Sequence, residues 1–83
     1  MTKPTIHGNG TSALSLATAY GDAYAAIQAA GVVLKETAPN ARDYNGGAEF
    51  DAAAVEHRDR MRRLESVMAE MDELMGWCLE HEA

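Results

Sequence analysis

The chain has little of what would support several common kinds of protein. Its 83 residues include one cysteine, one tryptophan, one phenylalanine and two prolines, and 13 acidic residues outnumber 7 basic ones. A single cysteine, Cys78, excludes an intrachain disulfide and is typical of a buried thiol in a reducing compartment. A net charge of −6 disfavours general binding to the nucleic-acid backbone, because such binding requires a basic surface.

Long apolar runs and targeting signals are also missing. Segment 1–9 is polar and lacks the apolar stretch that a secretory signal carries. Segment 13–34 comes nearest to a membrane span, but Asp22, Gln28 and many alanines make it too weakly apolar. These features predict a protein of the cytoplasm, with no membrane contact.

The strongest pattern that is present is a heptad in the second half of the chain. Apolar residues recur there at alternating spacings of four and three, which is the a/d pattern of a coiled-coil seam. The pattern predicts one long helix over residues 48–80 that buries a continuous stripe against other helices. The seam positions are Phe50, Ala54, His57, Met61, Leu64, Met68, Met71, Met75 and Cys78.

A first helix is expected over residues 12–37. The hydroxyl of Thr11 or Ser12 is suited to cap its start, and Pro39 disfavours its continuation. Its seam positions, again spaced four and three, are Leu16, Tyr20, Ala23, Ile27, Ala30 and Leu34. Interior glycines at Gly21 and Gly31 suggest that another backbone approaches this helix closely.

Together these patterns predict an all-α fold in a single domain, residues 1–83. An extended arm (1–10) precedes a two-helix antiparallel hairpin whose helices are joined by a loop (38–48). The first helix is apolar on most faces, so one partner helix cannot cover it. We therefore expect association into a helical bundle, as a homodimer or a larger oligomer of the chain.

The loop carries the first candidate binding residues, Asn40, Arg42, Asp43 and Tyr44. Arginine suits bidentate contact with phosphate or carboxylate, and tyrosine can stack on a base. The structural alternative is that Arg42 pairs with Asp43 or a helix-end carbonyl while Tyr44 covers the end of the bundle.

A second candidate set surrounds the start of the first helix and comprises His7, Asn9, Thr11 and Ser12. Free amides at a helix N-terminus, together with hydroxyls, favour anion binding, although ordinary capping explains the same residues. If the chain forms an antiparallel dimer, the arm of one subunit meets the loop of the other in a composite pocket.

The third candidate set is His57 and Arg60, within the basic segment 56–63. These residues lie close to the loop and are placed to add to an anion site. The alternative is a solvated helix face held by i,i+4 pairs, Glu56 with Arg60 and Asp59 with Arg63. His57 on the seam is equally suited to setting register.

Catalytic and metal-binding patterns are absent from the sequence. No nucleophile lies beside a base in a recognisable motif, and no glycine-rich phosphate loop follows a strand. The three histidines lack metal-ligand spacing with each other or with Cys78. The sequence therefore predicts a non-enzymatic protein without a metal or cofactor.

Three short motifs resemble a group of small, uncharacterised bacteriophage proteins of about this length. They are segments 6–12 (Ile-His-Gly-Asn-Gly-Thr-Ser), 38–44 (Ala-Pro-Asn-Ala-Arg-Asp-Tyr) and 57–60 (His-Arg-Asp-Arg). The group tends to read Ile-His-Leu-Asn-Gly-Thr-Ser and Pro-Asn-Gly-Arg-Asp-Tyr, so Gly8 replaces a leucine and Ala41 a glycine. The resemblance implies a phage origin and, by analogy, an anti-defence role.

The function expected from these features is binding rather than catalysis. The leading hypothesis is a phage-type protein in the bacterial host cytoplasm that sequesters an anionic small molecule, a cyclic nucleotide or ADP-ribose-type immune signal. One alternative is an anti-CRISPR-like inhibitor that uses exposed acidic residues to bind a host defence protein. The other is a structural helical bundle that has no ligand.

Overall fold

Two antiparallel helices dominate the computed structural model, which describes residues 1–82. Helix α1 spans Ala13–Lys35 and helix α2 spans Gly47–Glu80, with a short 3₁₀ turn, Ala41–Asp43, between them. No strand occurs in residues 1–82. The all-helical, two-helix prediction is confirmed. None of the helices in this part of the chain combines the length and apolar character needed to cross a bilayer.

The ends of α1 are fixed by side-chain hydroxyls. Ser12, rather than Thr11, is the cap, since its Oγ accepts a hydrogen bond from the Ser15 amide at 3.1 Å. The helix ends two residues before the expected position, because the amides of Glu36 and Thr37 bond three residues back, to Val33 and Leu34. The Thr37 hydroxyl also donates to the Leu34 carbonyl at 2.7 Å, which tightens this last turn.

The heptad of α2 faces α1 as its periodicity predicted. All nine seam residues of α2 are buried or half-buried, and so are five of the six seam residues of α1; Ala30 is exposed. Gly21 lies against Met75, since a Cβ built on it would come within 3.2 Å of the methionine sulfur. The close neighbour there is thus a side chain rather than a backbone, and a Cβ at Gly31 would meet nothing within 4 Å.

The N-terminal arm forms a third layer on the last turns of α2. The Lys3 ammonium lies 2.9 Å from Glu73 Oε1, and the Trp77 indole donates to the Pro4 carbonyl at 3.2 Å. Glu73 and Trp77 are on the side of α2 turned away from the seam, because each follows a seam methionine by two residues. The arm and α1 therefore enclose the C-terminal end of α2 from opposite sides.

Among residues 1–82, the buried side chains all lie at this arm end of the hairpin. The buried residues are Ala13, Ala17, Leu74 and Cys78. Cys78 has no exposed surface and is a free thiol, as expected from its seam position. The loop end lacks a covering third layer of this kind, so its seam residues stay half-exposed in a single chain.

The molecule is long and thin, with extents of 59 × 21 × 17 Å. Its radius of gyration is 18.1 Å, against about 12 Å for a compact domain of this length. Its accessible surface is 5899 Å², whereas a compact monomer of this mass exposes roughly 4,800 Å². A single chain thus leaves more surface exposed than a compact domain does.

Candidate functional site

The candidate loop residues are organised by Asn40. Its side-chain oxygen accepts from the Arg42 amide at 3.1 Å and from Arg42 Nε at 3.4 Å. Among residues 1–82, no carboxylate lies within 4.0 Å of the Arg42 guanidinium, so the alternative pairing with Asp43 does not form. The asparagine therefore orients a guanidinium that keeps its charge available for a ligand.

Tyr44 lies beside the first turn of α2. Its ring meets Phe50 edge-on, with centroids 6.3 Å apart and an interplanar angle of 61°. The tyrosine remains 37% exposed, so one side of the phenol is open to stacking. Asn40, Arg42 and Asp43 are exposed as well. In a single chain the loop offers one open face rather than an enclosed pocket.

The arm residues form a tight turn at the other end of the molecule. The Gly10 amide donates to the His7 carbonyl at 3.2 Å, and the Asn9 amide donates to His7 Nδ1 at 3.3 Å. A Cβ on Gly10 would lie 2.8 Å from His7 Nε2, so the absence of a side chain at this position leaves room for the His7 imidazole. Asn9 and Thr11 are exposed.

A cavity of about 310 Å³ adjoins this turn, with His7, Ser12 and Glu82 in its lining. The Ser12 hydroxyl is already engaged in capping α1, and the Glu82 carboxylate would repel an anion. The chemistry of this end therefore favours the capping interpretation of Ser12 over an anion site within one chain.

The basic segment of α2 is only partly paired. Arg63 Nε lies 3.1 Å from Asp59 Oδ2, an exposed i,i+4 pair of the expected kind. The expected pair of Glu56 with Arg60 does not form among the described residues. Near it, His57 is half-buried and its Nδ1 is shielded without a hydrogen-bond partner within residues 1–82.

Arg60 borders a groove between the end of α1 and the middle of α2. The groove has a volume of about 460 Å³ and is lined by Ala30, Leu34, Arg60, Arg63 and Leu64. Arg60 was predicted from the sequence as a binding residue, whereas the apolar floor beside it was not. The available signal was the pair of arginines three residues apart next to Leu64, since residues at that spacing share one side of a helix.

The contact between the arm and α2 was also missed. The ammonium of Lys3 donates to Glu73 and adds a nearby positive charge, and both effects lower the pKa of that carboxyl below its ordinary value of 4.5. Glu73 and Trp77 are four residues apart, so they share one side of α2. No pattern in the sequence indicated that the arm would contact this side of α2.

The candidate residues separate into two groups at opposite ends. The loop lies before the start of α2, His57 and Arg60 lie in its first half, and the arm residues lie beside its end. Along the helix, that end is roughly 50 Å from the loop and roughly 30 Å from Arg60. One chain therefore does not join them, and the composite pocket of an antiparallel dimer stays a prediction.

Neither a metal centre nor a related protein guides the assignment further. Within residues 1–82 there is no group of three or more histidine, cysteine or acidic side chains placed to hold a metal ion. No family model, curated protein or solved structure matches the chain.

Proposed function

We propose that this is a non-enzymatic, phage-type binding protein that sequesters an anionic small molecule, a cyclic nucleotide or ADP-ribose-type signal of bacterial immunity. The contact between Asn40 and Arg42 carries the proposal. It orients an exposed guanidinium without neutralising it, which lowers the ordering cost of binding a phosphate.

Tyr44 supports the same ligand class. It lies two residues from Arg42 and keeps part of its ring accessible. A nucleotide presents phosphates to a guanidinium and a flat base to an aromatic ring, so the two side chains match its two parts. The phage setting follows from the resemblance of segments 6–12 and 38–44 to small phage proteins.

Self-association is part of the proposal. Eight of the thirteen exposed residues of α1 are alanine, leucine or valine, with Leu14 60%, Val32 59% and Val33 61% accessible. Asp22 is the only charged residue between Ala13 and Leu34. An apolar, nearly uncharged helix face in an elongated chain supports a homodimer or larger bundle with α1 at its centre.

A thermal-shift panel of cyclic di- and trinucleotides and ADP-ribose tests the binding proposal. A ligand at 100 times its Kd should add about 2.7 kcal/mol to the free energy of unfolding, which raises Tm by several degrees. The shift should disappear in Arg42→Ala and persist in the control Arg62→Ala, which removes the same charge from an exposed position on α2. A flat panel for the wild-type chain would refute the proposal.

An acidic surface favours a second candidate, a protein that inhibits a host defence effector. Residues 64–83 contain six carboxylates and no lysine or arginine, whereas residues 1–63 contain seven of each sign, so the last segment supplies the whole net charge. The six acidic residues are all exposed: Glu65, Glu70, Asp72, Glu73, Glu80 and Glu82. Such a surface is complementary to a basic nucleic-acid channel.

This second candidate predicts a salt-sensitive complex with the effector. The double variant Glu70→Lys and Asp72→Lys should weaken the complex, because each change replaces attraction with repulsion. Inhibition that survives this reversal unchanged would contradict it.

A further inference from the structure

We propose that the groove lined by Ala30, Leu34, Leu64, Arg60 and Arg63 binds one end of a phosphorylated nucleoside ligand whose other end lies on Arg42 and Tyr44, with a ring of that ligand on the apolar floor and a phosphate on Arg60. The inference rests on the proposed function, because it assigns a site and a chemical class to the small molecule. The groove lies at the end of α1 where the loop begins, since its lining includes Leu34, the penultimate residue of that helix.

The charged side chains in the lining of this groove are both positive. They are Arg60 and Arg63, and no acidic residue among residues 1–82 belongs to the lining. Arg60 has no carboxylate within 4.0 Å among residues 1–82, while Arg63 uses its Nε on Asp59. Two guanidiniums at the edge of the groove, one of them without an acidic partner, attract an anion.

The apolar floor of the groove favours an anionic ligand that also carries an apolar ring. Leu34 and Leu64 are half-buried and Ala30 is exposed, so burying them against a flat ring removes apolar surface from water. A simple inorganic anion would leave this surface uncovered, and an uncharged ring would not use the arginines. The volume of about 460 Å³ lies within the roughly 300–1,000 Å³ of ordinary small-molecule sites.

A second copy of the chain is the competing occupant, and charge argues against it. If a two-fold axis passed through the groove, the same patch would lie on both sides of the contact, and Arg60 and Arg63 would approach their own counterparts. Like charges opposed across an interface are unfavourable. A nucleoside phosphate meets the same patch with the opposite charge.

Isothermal titration of the wild-type chain with ADP-ribose and cyclic di-AMP tests the assignment. Arg60→Ala should weaken binding about tenfold to a hundredfold, the loss expected for a hydrogen bond to a charged group. Ala30→Met should also weaken binding at least about tenfold, because it fills the groove while preserving every charge. Arg62→Ala is the matched control and should leave the affinity unchanged, and circular dichroism should show equal helix content in all variants.

The possible results distinguish a failure of the groove assignment from a failure of the proposed function. Binding that is lost in Arg42→Ala but unchanged in both Arg60→Ala and Ala30→Met would overturn the groove and leave the proposed function standing. Wild-type protein that binds neither probe and shows no thermal shift with any ligand of the panel would overturn both. A change in sedimenting mass without a change in nucleotide affinity would assign the groove to a second copy and overturn the inference.

Discussion

Placing a charge on the outward face of α1 gives the sharpest test of self-association. Ala25 is exposed near the middle of that face, with Leu14 and Val32 accessible towards its two ends. Ala25→Glu keeps a good helix former at a solvent-exposed position, so a single chain should fold as before. In a bundle with α1 at its centre, the same carboxylate would be taken out of water.

The expected magnitude follows from the exposed area. The 5899 Å² of accessible surface exceeds that of a compact monomer of equal mass by roughly 1,100 Å². A standard interface removes about 800 Å² from each partner, so one such contact accounts for most of the excess. An unpaired buried charge costs several kcal/mol, and since each 1.4 kcal/mol is about tenfold, the Kd for association should rise more than a hundredfold.

Sedimentation equilibrium over concentrations from micromolar to hundreds of micromolar is the assay. The wild-type chain should have at least twice the mass of the 8.9 kDa monomer, and Ala25→Glu should sediment as a monomer. Ser66→Glu adds the same charge to an exposed position on α2 and should associate like the wild type. A wild-type chain that stays monomeric throughout would refute the reasoning, and an Ala25→Glu chain that associates normally would exclude this face.

Three further predictions concern stability. Leu74→Ala, at a buried position, should lower the free energy of unfolding by about 2–5 kcal/mol in urea titration; a loss below 1 kcal/mol would contradict its role in the core. Gly76→Ala should raise that free energy by about 0.5–1 kcal/mol, because a Cβ there meets nothing within 4 Å, and an unchanged or lower Tm would contradict this. Lys3 lowers the pKa of Glu73, so the stabilising contribution of this pair is present above the unfolded-state pKa and is lost as pH falls through the lower folded-state value. Over that range the fluorescence of Trp77, the only tryptophan, should shift to the red as the arm loosens, and Glu73→Gln should lack this transition; identical titrations of the two chains would disprove the assignment.

Periodicity predicted the helices well because it is a local property. The seam of α2 fixed its orientation towards α1, and its observed start at Gly47 is one residue from the expected one. The end of α1 was misjudged by two residues, since the sequence does not reveal that the amides of Glu36 and Thr37 donate to carbonyls three residues back instead of four. Helix ends depend on such competition between hydrogen-bond patterns, which hydropathy does not encode.

The arm was beyond the reach of sequence reasoning. Its contact with α2 joins Pro4 to Trp77, which are 73 residues apart, and no local rule links such positions.

The candidate site was likewise predictable in its residue types but not in its contacts. The residue types of the loop were identified from the sequence, but i,i+4 spacing favoured the pair of Glu56 with Arg60 as much as that of Asp59 with Arg63, and only the second forms. The acceptor role of Asn40 towards Arg42 Nε likewise depended on the conformation of the turn.

The uneven burial of the hairpin favours the loop end for the proposed small-molecule site. At the arm end, three layers already cover Leu74 and Cys78, so a small ligand would not reach these two seam side chains. At the loop end, Leu34 and Leu64 stay partly exposed beside arginines, so a ligand gains both hydrophobic burial and charge contact. Because the arm end supplies the fully buried core, the loop end is free to keep surface that a partner or ligand completes.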